Sequence, residues 1–271
     1  FAGAVTSYSI EAMMGDTRAL QAGTSHYLGD NFARAFSIQY LDRDNTQQFC
    51  QTTSWGLSTR FVGAIIMVHG DDQGLVLPPR LAPYQAVLVP IYKDDQERGA
   101  VLERTEAARK ALAGFRLRVD DREEVTPGFK FNDWEMRGVP VRVEIGPKDV
   151  AQGTVTLARR DQRKRQSVRQ EGLAIAMQEL LADIHHSMLE RARDFQKTNT
   201  HQPEDYESFK EAVQSGWAEV WWCGDADDEG QIQADTKATN RIILLDRADG
   251  EGACIRCGKV ARERAIFARA Y

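Results

Sequence analysis

Residues 56–83 read GLSTRFVGAIIMVHGDDQGLVLPPRLAP, and no other stretch constrains the chain as tightly. Arg60 opens an apolar run, FVGAIIMV, followed by an acidic turn and an exit bounded by Pro78, Pro79 and Pro83. The run suits a buried strand or helix and is far too short for a membrane span, which takes about 20 residues. A guanidinium beside a packed element offers a planar fork of donors that matches phosphate oxygens. The plainer reading of the same pattern is a helix-end arginine held in a salt bridge. The prolines mark a boundary near residue 83.

With 271 residues, 42% hydrophobic and 28% charged, the composition is that of an ordinary globular protein with room for one large or two to three small domains. A net charge of −5 does not advertise a nucleic-acid binder, so any RNA contact must come from local basic surface. Of the four cysteines, Cys50 stands alone and Cys223, Cys254 and Cys257 fall in the last fifty residues, a distribution that suits a local metal site better than a disulfide framework. With no charged-then-apolar leader and no apolar run of spanning length, a cytoplasmic protein is expected. The opening at Phe1, without methionine, suggests a segment of a longer polypeptide.

The pattern predicts three regions. In residues 1–83, TSYSIEAMM and FSIQYL read as strands separated by GDTRALQAGTSHYLGDN, with a polar turn at Asp42–Gln48 and a strand-like FCQTTSW. Residues 84–200 alternate strand signals (86–92, 115–121, 139–145, 154–160) with a helix over 94–113 and a short one over 128–137, which argues for an α/β domain. A long helix follows, with Leu173, Met177, Leu180, Leu181, Ile184, Met188 and Phe195 on one stripe. After the linker signal NTHQPE, residues 201–271 form a small α+β unit containing Trp217, Trp221, Trp222 and the clustered cysteines.

Five constellations could carry chemistry. Gln21, Thr24 and His26 in QAGTSHYLG offer amide, hydroxyl and imidazole groups suited to a nucleotide and a small substrate; an ordinary turn is the plain alternative. WGLSTR places Trp55 near Arg60. Residues 127–149 interleave acidic and basic groups that could pair with guanine edges or merely form surface salt bridges. The run RRDQRKRQSVR, Arg159–Arg169, could track RNA phosphates or be a solvated hairpin, and both readings stay open. Finally, Cys223 with Cys254-x-x-Cys257 has spacing suited to zinc but supplies three ligands only.

Taken together, TSWGLSTR, HGDDQGLVLPP, LAPYQAVLVPI and ALQAGTSHYLG followed by NFARAF resemble the prolyl-tRNA synthetase family of class II, in its archaeal and eukaryotic form. The resemblance covers essentially the whole chain. It implies part of a class II antiparallel sheet with helices over 1–83, an α/β anticodon-binding domain over 84–200 and a zinc-type domain over 201–271. The implied activity joins proline and ATP into prolyl-adenylate and transfers proline to its tRNA, with Mg2+ accompanying ATP. Gln21, Thr24 and Arg60 would contact ATP, with Arg60 on the γ-phosphate, while Glu11, His26 and Trp55 would border the proline site. No nucleophile is needed, since adenylation rests on positioning and charge stabilisation.

For the anticodon, the resemblance implies Glu135, Arg142, Lys148 and Asp149 as readers of the two guanines, with Lys130 on the backbone. The family's second cysteine position is occupied here by Asp228, so two outcomes stay open: a Cys3Asp zinc site of Cys223, Asp228, Cys254 and Cys257, or a fold held by its tryptophans without zinc. The family's terminal tyrosine, here Tyr271, turns its carboxylate toward the active site. Its first two motifs are expected upstream of Phe1, together with much of a homodimer interface, so the chain alone is expected not to adenylate proline. The competing readings are a non-catalytic tRNA-binding module and, explaining much less, a zinc-binding interaction domain.

Overall fold

The computed structural model describes residues 1–245 and 250–271. The chain forms two compact units, one of Phe1–Val68 with Phe195–Tyr271 and one of His69–Asp194. Its first segment runs β1 (Thr6–Met13), β2 (Ala19–Gly29), α1 (Asn31–Ala35), β3 (Gln39–Leu41), β4 (Gln47–Phe49), β5 (Thr52–Leu57) and α2 (Arg60–His69). β1, β2 and β5 make an antiparallel sheet in that order, and β3 and β4 make a small hairpin around the expected polar turn.

Two expectations are corrected here. QAGTSHYLG is the central strand of the sheet, not a connection, and FSIQYL is strand only over Gln39–Leu41. The alternation that would reveal β2 is broken by a bulge: Ile10 faces Gly23 while Glu11 faces Gln21, leaving Ala22 as the extra residue. The apolar run after Arg60 is a helix, and its Phe61, Ala64 and Val68 pack on Met14, Leu20 and Ala22.

The second unit contains β6 (Ala86–Pro90), α3 (Asp95–Ala111), β7 (Leu117–Val119), α4 (Pro127–Met136), β8 (Val141–Ile145), α5 (Pro147–Gln152), β9 (Thr154–Arg159), β10 (Arg165–Arg169) and most of α6 (Leu173–Thr198). The sheet order is β10-β9-β8-β6-β7, with β6 parallel to both β7 and β8. Every residue of β6 and β8 is buried, as strands covered on both faces should be. Capping sets the helix starts. Asp94 accepts from the Glu97 N–H, and Thr126, followed by Pro127, accepts from the Phe129 N–H. The predicted stripe of α6 is buried from Leu173 to Met188, but Phe195 is 38% exposed. α5 and β10 were not visible in the sequence pattern.

The two faces of β8 differ in chemistry. Val141, Val143 and Ile145 join Leu88, Leu157, Met177 and Ile184 in the main core. Arg142 and Glu144 alternate onto the other face, where Val87, Val89, Trp134 and Val139 cluster.

The C-terminal segment adds β11 (Thr200–His201), α7 (Tyr206–Ser215), β12 (Trp217–Trp222), α8 (Ala226–Thr236), β13 (Thr239–Ile243), β14 (Gly252–Ala253), β15 (Val260–Ala261) and β16 (Glu263–Ala268). The expected linker at 199–204 thus contributes a short strand. The sheet order is β11-β12-β16-β13, and Phe209, Trp222 and Phe267 meet edge-on in its core. This segment packs on the first one within the same unit. Met13 and Ala19 share a cluster with Trp217, Ile266 and Ala268, the Ala19 N–H donates to the Arg269 carbonyl, and the Tyr271 hydroxyl donates to Asp16 at 2.5 Å.

Asp120 anchors the face of the second unit that carries Trp134. Its carboxylate accepts from Arg122 at 2.8 and 2.7 Å and from Trp134 Nε1 at 2.7 Å, and its carbonyl accepts from Lys130 Nζ at 3.1 Å. Burial alone would raise this carboxyl, but the hydrogen bonds from Arg122 and Trp134 outweigh it and hold the pKa at about 2. Because the folded value lies below the unfolded one, this stabilisation is complete above about pH 4 and is lost as pH falls toward 2. Asp120→Asn should lower the unfolding free energy by about 3 kcal/mol near neutrality. It should also remove roughly 2 kcal/mol from the stability lost between those pH values. Urea unfolding across that range measures both.

Candidate functional site

In the first unit, β1 and β2 direct Ser7, Ser9, Gln21, Thr24 and His26 to a cavity of about 1200 Å³, whose other side includes Glu229, Asn240, Arg241 and Glu263. The bulge brings Gln21, three residues before Thr24, onto the face shared by Thr24 and His26. His26 Nδ1 lies 2.8 Å from Ser7 Oγ, and its ring packs on Phe1 with centroids 4.7 Å apart.

Three expected members of this site do not line the cavity. Trp55 pairs with Ser25, so it points to the opposite face of the sheet from Thr24 and His26 and is 73% exposed. The Arg60 side chain, at the exposed start of α2, makes no ion pair among the described residues. Glu11 is buried; its Oε2 accepts from Arg241 Nε at 3.1 Å and NH2 at 2.9 Å, so its carboxylate is committed to protein and does not line the cavity. Arg241 is the residue that sequence reasoning missed. It is the extra residue of a bulge in β13, where Asn240 faces Phe267 and Ile242 faces Ile266, and TNRII alone gives no sign of that.

In the second unit, a cavity of about 220 Å³ opens on the polar face of β8. Its lining combines Val87, Trp134, Val139 and Ala158 with Glu135 from the end of α4, Arg142 from β8, and Arg159, Arg160, Arg163 and Arg165 from the β9–β10 hairpin. Arg142 donates to Glu135 at 2.7 Å and to Glu144 at 2.9 Å, and its guanidinium stacks 4.0 Å from the Phe131 ring centroid. Glu144 was legible as the alternate partner of Arg142 in VRVEI, and it was overlooked. Arg160 is buried and bidentate to Asp71, in the acidic turn of the opening motif, and holds that carboxyl well below the usual range.

Three anticodon assignments look different in the structure. Lys130, expected on the RNA backbone, is buried, and its Nζ donates to the Asp120 carbonyl. Asp149 caps α5, accepting from the Gly146 N–H, Thr154 and Thr156, so it acts as a structural cap. Lys148, at the exposed start of α5, is not among the residues lining the cavity.

In the C-terminal segment, one ligand atom each from Cys223, Asp228, Cys254 and Cys257 lies within 4.8 Å of the others. Cys254 and Cys257 sit on the turn between β14 and β15, Cys223 follows β12, and Asp228 lies in the first turn of α8. The Cys223 and Cys257 sulfurs are 3.8 Å apart, and Cys223 Sγ is 3.6 Å from Asp228 Oδ2. A tetrahedral ion with bonds of about 2.3 Å to sulfur requires sulfurs about 3.8 Å apart, so the four side chains can hold one. Burial and the neighbouring Cys254 and Cys257 push the Cys223 thiol up to about 12. Cys254 is drawn down in spite of its burial by N–H groups of Cys257 and Arg256.

Comparison with known proteins now bears on these sites. Residues 85–180 match the family described as "Anticodon binding domain", and residues 206–271 match "Prolyl-tRNA synthetase, C-terminal". The chain is 53% identical over 275 residues to "Proline--tRNA ligase" of Roseiflexus castenholzii and 51% identical to that of Chloroflexus aurantiacus, covering all of this chain and 57% of each relative. It is 43% identical over 280 residues to that of Deinococcus radiodurans, covering 56% of it. The chain therefore spans a little over half the length of the curated relatives it matches. The residues lining the 220 Å³ cavity fall within the first matched segment, and Cys223, Asp228, Cys254 and Cys257 fall within the second.

The buried pairs of the cavity floor should weigh on stability differently from its rim. Arg142→Ala leaves Glu144 buried and should destabilise the chain by about 3 kcal/mol. Arg163→Ala, at a half-exposed position, should stay within about 0.5 kcal/mol of the parent. Chemical denaturation of the two variants side by side checks the contrast.

Proposed function

We propose that this chain belongs to a proline–tRNA ligase, in which residues 84–200 read the anticodon of the proline tRNA and residues 1–83 line the site where ATP and L-proline react. The observation that carries this reading is the cavity in the anticodon-binding domain, where a buried Arg142 pairs with a half-buried Glu135 beside Trp134. A carboxylate accepts from a guanine's amino and imino groups, and a guanidinium donates to its carbonyl and ring nitrogen, so the pair suits the two guanines of a proline anticodon. Lys148 would contact the RNA outside this cavity.

On the activation side, Gln21 and Thr24 would hold adenine and ribose, His26 would border proline, and Arg60 would grip the γ-phosphate of ATP bound with Mg2+. The proline carboxylate attacks the α-phosphate and pyrophosphate leaves, so these side chains act by orientation and by neutralising charge, and none needs to exchange a proton. The whole protein would work in the cytoplasm, with a homodimer as its form. Residues 201–271 would be the zinc-type domain of the archaeal and eukaryotic subgroup. The donor set of three thiols and a carboxylate, at tetrahedral spacing, supports a structural Zn2+ there that would deprotonate the thiols and hold the turn between β14 and β15.

Anticodon reading is tested by titrating the chain with the proline tRNA and with transcripts in which each guanine is replaced. The parent should discriminate by about 1–3 kcal/mol per base, and folded Glu135→Gln and Arg142→Lys variants should lose that margin. Equal affinity of the parent for all transcripts would overturn the reading. Proline-dependent ATP–pyrophosphate exchange by the full-length protein separates the ligase from a non-catalytic binding module. For zinc, one equivalent should co-purify, and Cys257→Ser should remove it and lower the melting temperature; a metal-free chain that melts like the zinc-treated one would refute the site.

A further inference from the structure

The β9–β10 hairpin is the basic run whose sequence left two readings open. The structure sorts its cations into two classes. Arg159 and Arg160 are buried structural groups, the first on Asp161 and Asp183, the second on Asp71. Arg163 and Arg165 are more than half exposed and line the 220 Å³ cavity. Their ion pairs are secondary. Arg163 reaches Asp71 at 3.3 Å, where Arg160 already takes both oxygens, and Arg165 reaches Glu144 at 3.4 Å, where Arg142 is closer. Long, exposed pairs of this kind hold their arginines weakly, so little is lost when an anion replaces them.

The hairpin geometry is also specific. Arg163 has φ +56, a left-handed conformation uncommon for a residue with a long side chain, which fixes the turn from which these guanidinium groups project. Beneath them the cavity is apolar at Val87, Val139 and Trp134 and polar at Glu135 and Arg142. Its volume, about 220 Å³, is room enough for a nucleobase. A body that is planar, hydrogen-bonds at one edge and carries an anion at its outer end matches that arrangement, and a nucleotide of single-stranded RNA has this form.

We propose that Arg163 and Arg165 are the phosphate clamp of the base cavity, gripping the RNA backbone on either side of a nucleotide turned into it. This rests on the anticodon reading proposed above but assigns a separate role. Glu135 and Arg142 select the base, and the hairpin arginines supply charge without selecting sequence.

The test is the salt dependence of tRNA binding by the full chain, with Arg163→Gln, Arg165→Gln and the double variant. Each lost contact should lower the slope of log affinity against log salt by about 0.7, as for single-stranded RNA, and the double variant by about twice that. The ratio of affinities for the proline tRNA and its guanine-replaced transcripts should stay at the parental value. Unchanged slopes would overturn the clamp and leave the hairpin as solvated surface. A changed base ratio with an unchanged slope would also overturn it, assigning these residues to base reading instead. Failure of the anticodon reading is visible separately, as a parent chain that binds all transcripts alike while the slopes still fall. The exposed positions make the variants safe for folding, and circular dichroism with thermal melting confirms it.

Discussion

This chain repeatedly buries carboxylates, and each is matched by an arginine. The Glu11 and Asp161 side chains are 0% exposed and Asp120 is 1% exposed, and their partners are Arg241, Arg159 and Arg122. An isolated ionised carboxylate would cost far more to bury than a small domain's net stability, so the pairing is compulsory. A guanidinium does it better than an ammonium, because its fork satisfies several lone pairs in one fixed geometry. The long-range pairs also close the fold: Glu11 and Arg241 are 230 positions apart, and Asp71 and Arg160 are 89 apart. The polar groups that tie segments together are thus of the same kind as those that face the cavities, and what distinguishes a structural arginine from an available one is burial and the number of oxygens it holds.

Two β-bulges make the first unit's cavity possible. One, at Ala22, turns Gln21 onto the face of Thr24 and His26; the other, at Arg241, turns that arginine toward Glu11. Without them, strict alternation would send Gln21 to the helix-covered face, where Leu20 and Ala22 pack beneath α2. The same device that assembles the site conceals it in the sequence.

Legibility followed the physics of each element. β6 and β8, buried on both faces, and α6, with its apolar stripe, announce themselves because burial imposes hydrophobic runs and a 3.6-residue period. β2 was missed because a bulge interrupts alternation and its residues are those of turns. Glu135 and Arg142 are candidates by the resemblance, since the residue pattern alone reads equally as surface salt bridges, and the structure does bring them together. Lys130 and Asp149 shared that local look, yet one sits on the Asp120 carbonyl and the other caps α5. Side-chain partners three to ten residues away decide such cases, and composition does not record them. Arg241 had no local signal at all, since its partner is at the other end of the chain.

The C-terminal domain shows the same limit from the side of stability. Its core of Phe209, Val220, Trp222, Ile232 and Phe267 covers one face of a four-stranded sheet, but the turn bearing Cys254 and Cys257 rests on two strands of two residues each. Such a hairpin cannot stand on its own backbone bonds. The structure secures it with the Cys254 N–H donating to the Lys259 carbonyl at 2.8 Å and with Gly252 pressed on the Trp221 ring, where any side chain would collide. Tryptophan packing therefore fixes one end of the hairpin, while the other end gathers three thiols and a carboxylate within 4.8 Å of one another. The two alternatives that the sequence left open, a metal or the tryptophans, thus concern different ends of one hairpin and do not compete for the same residues.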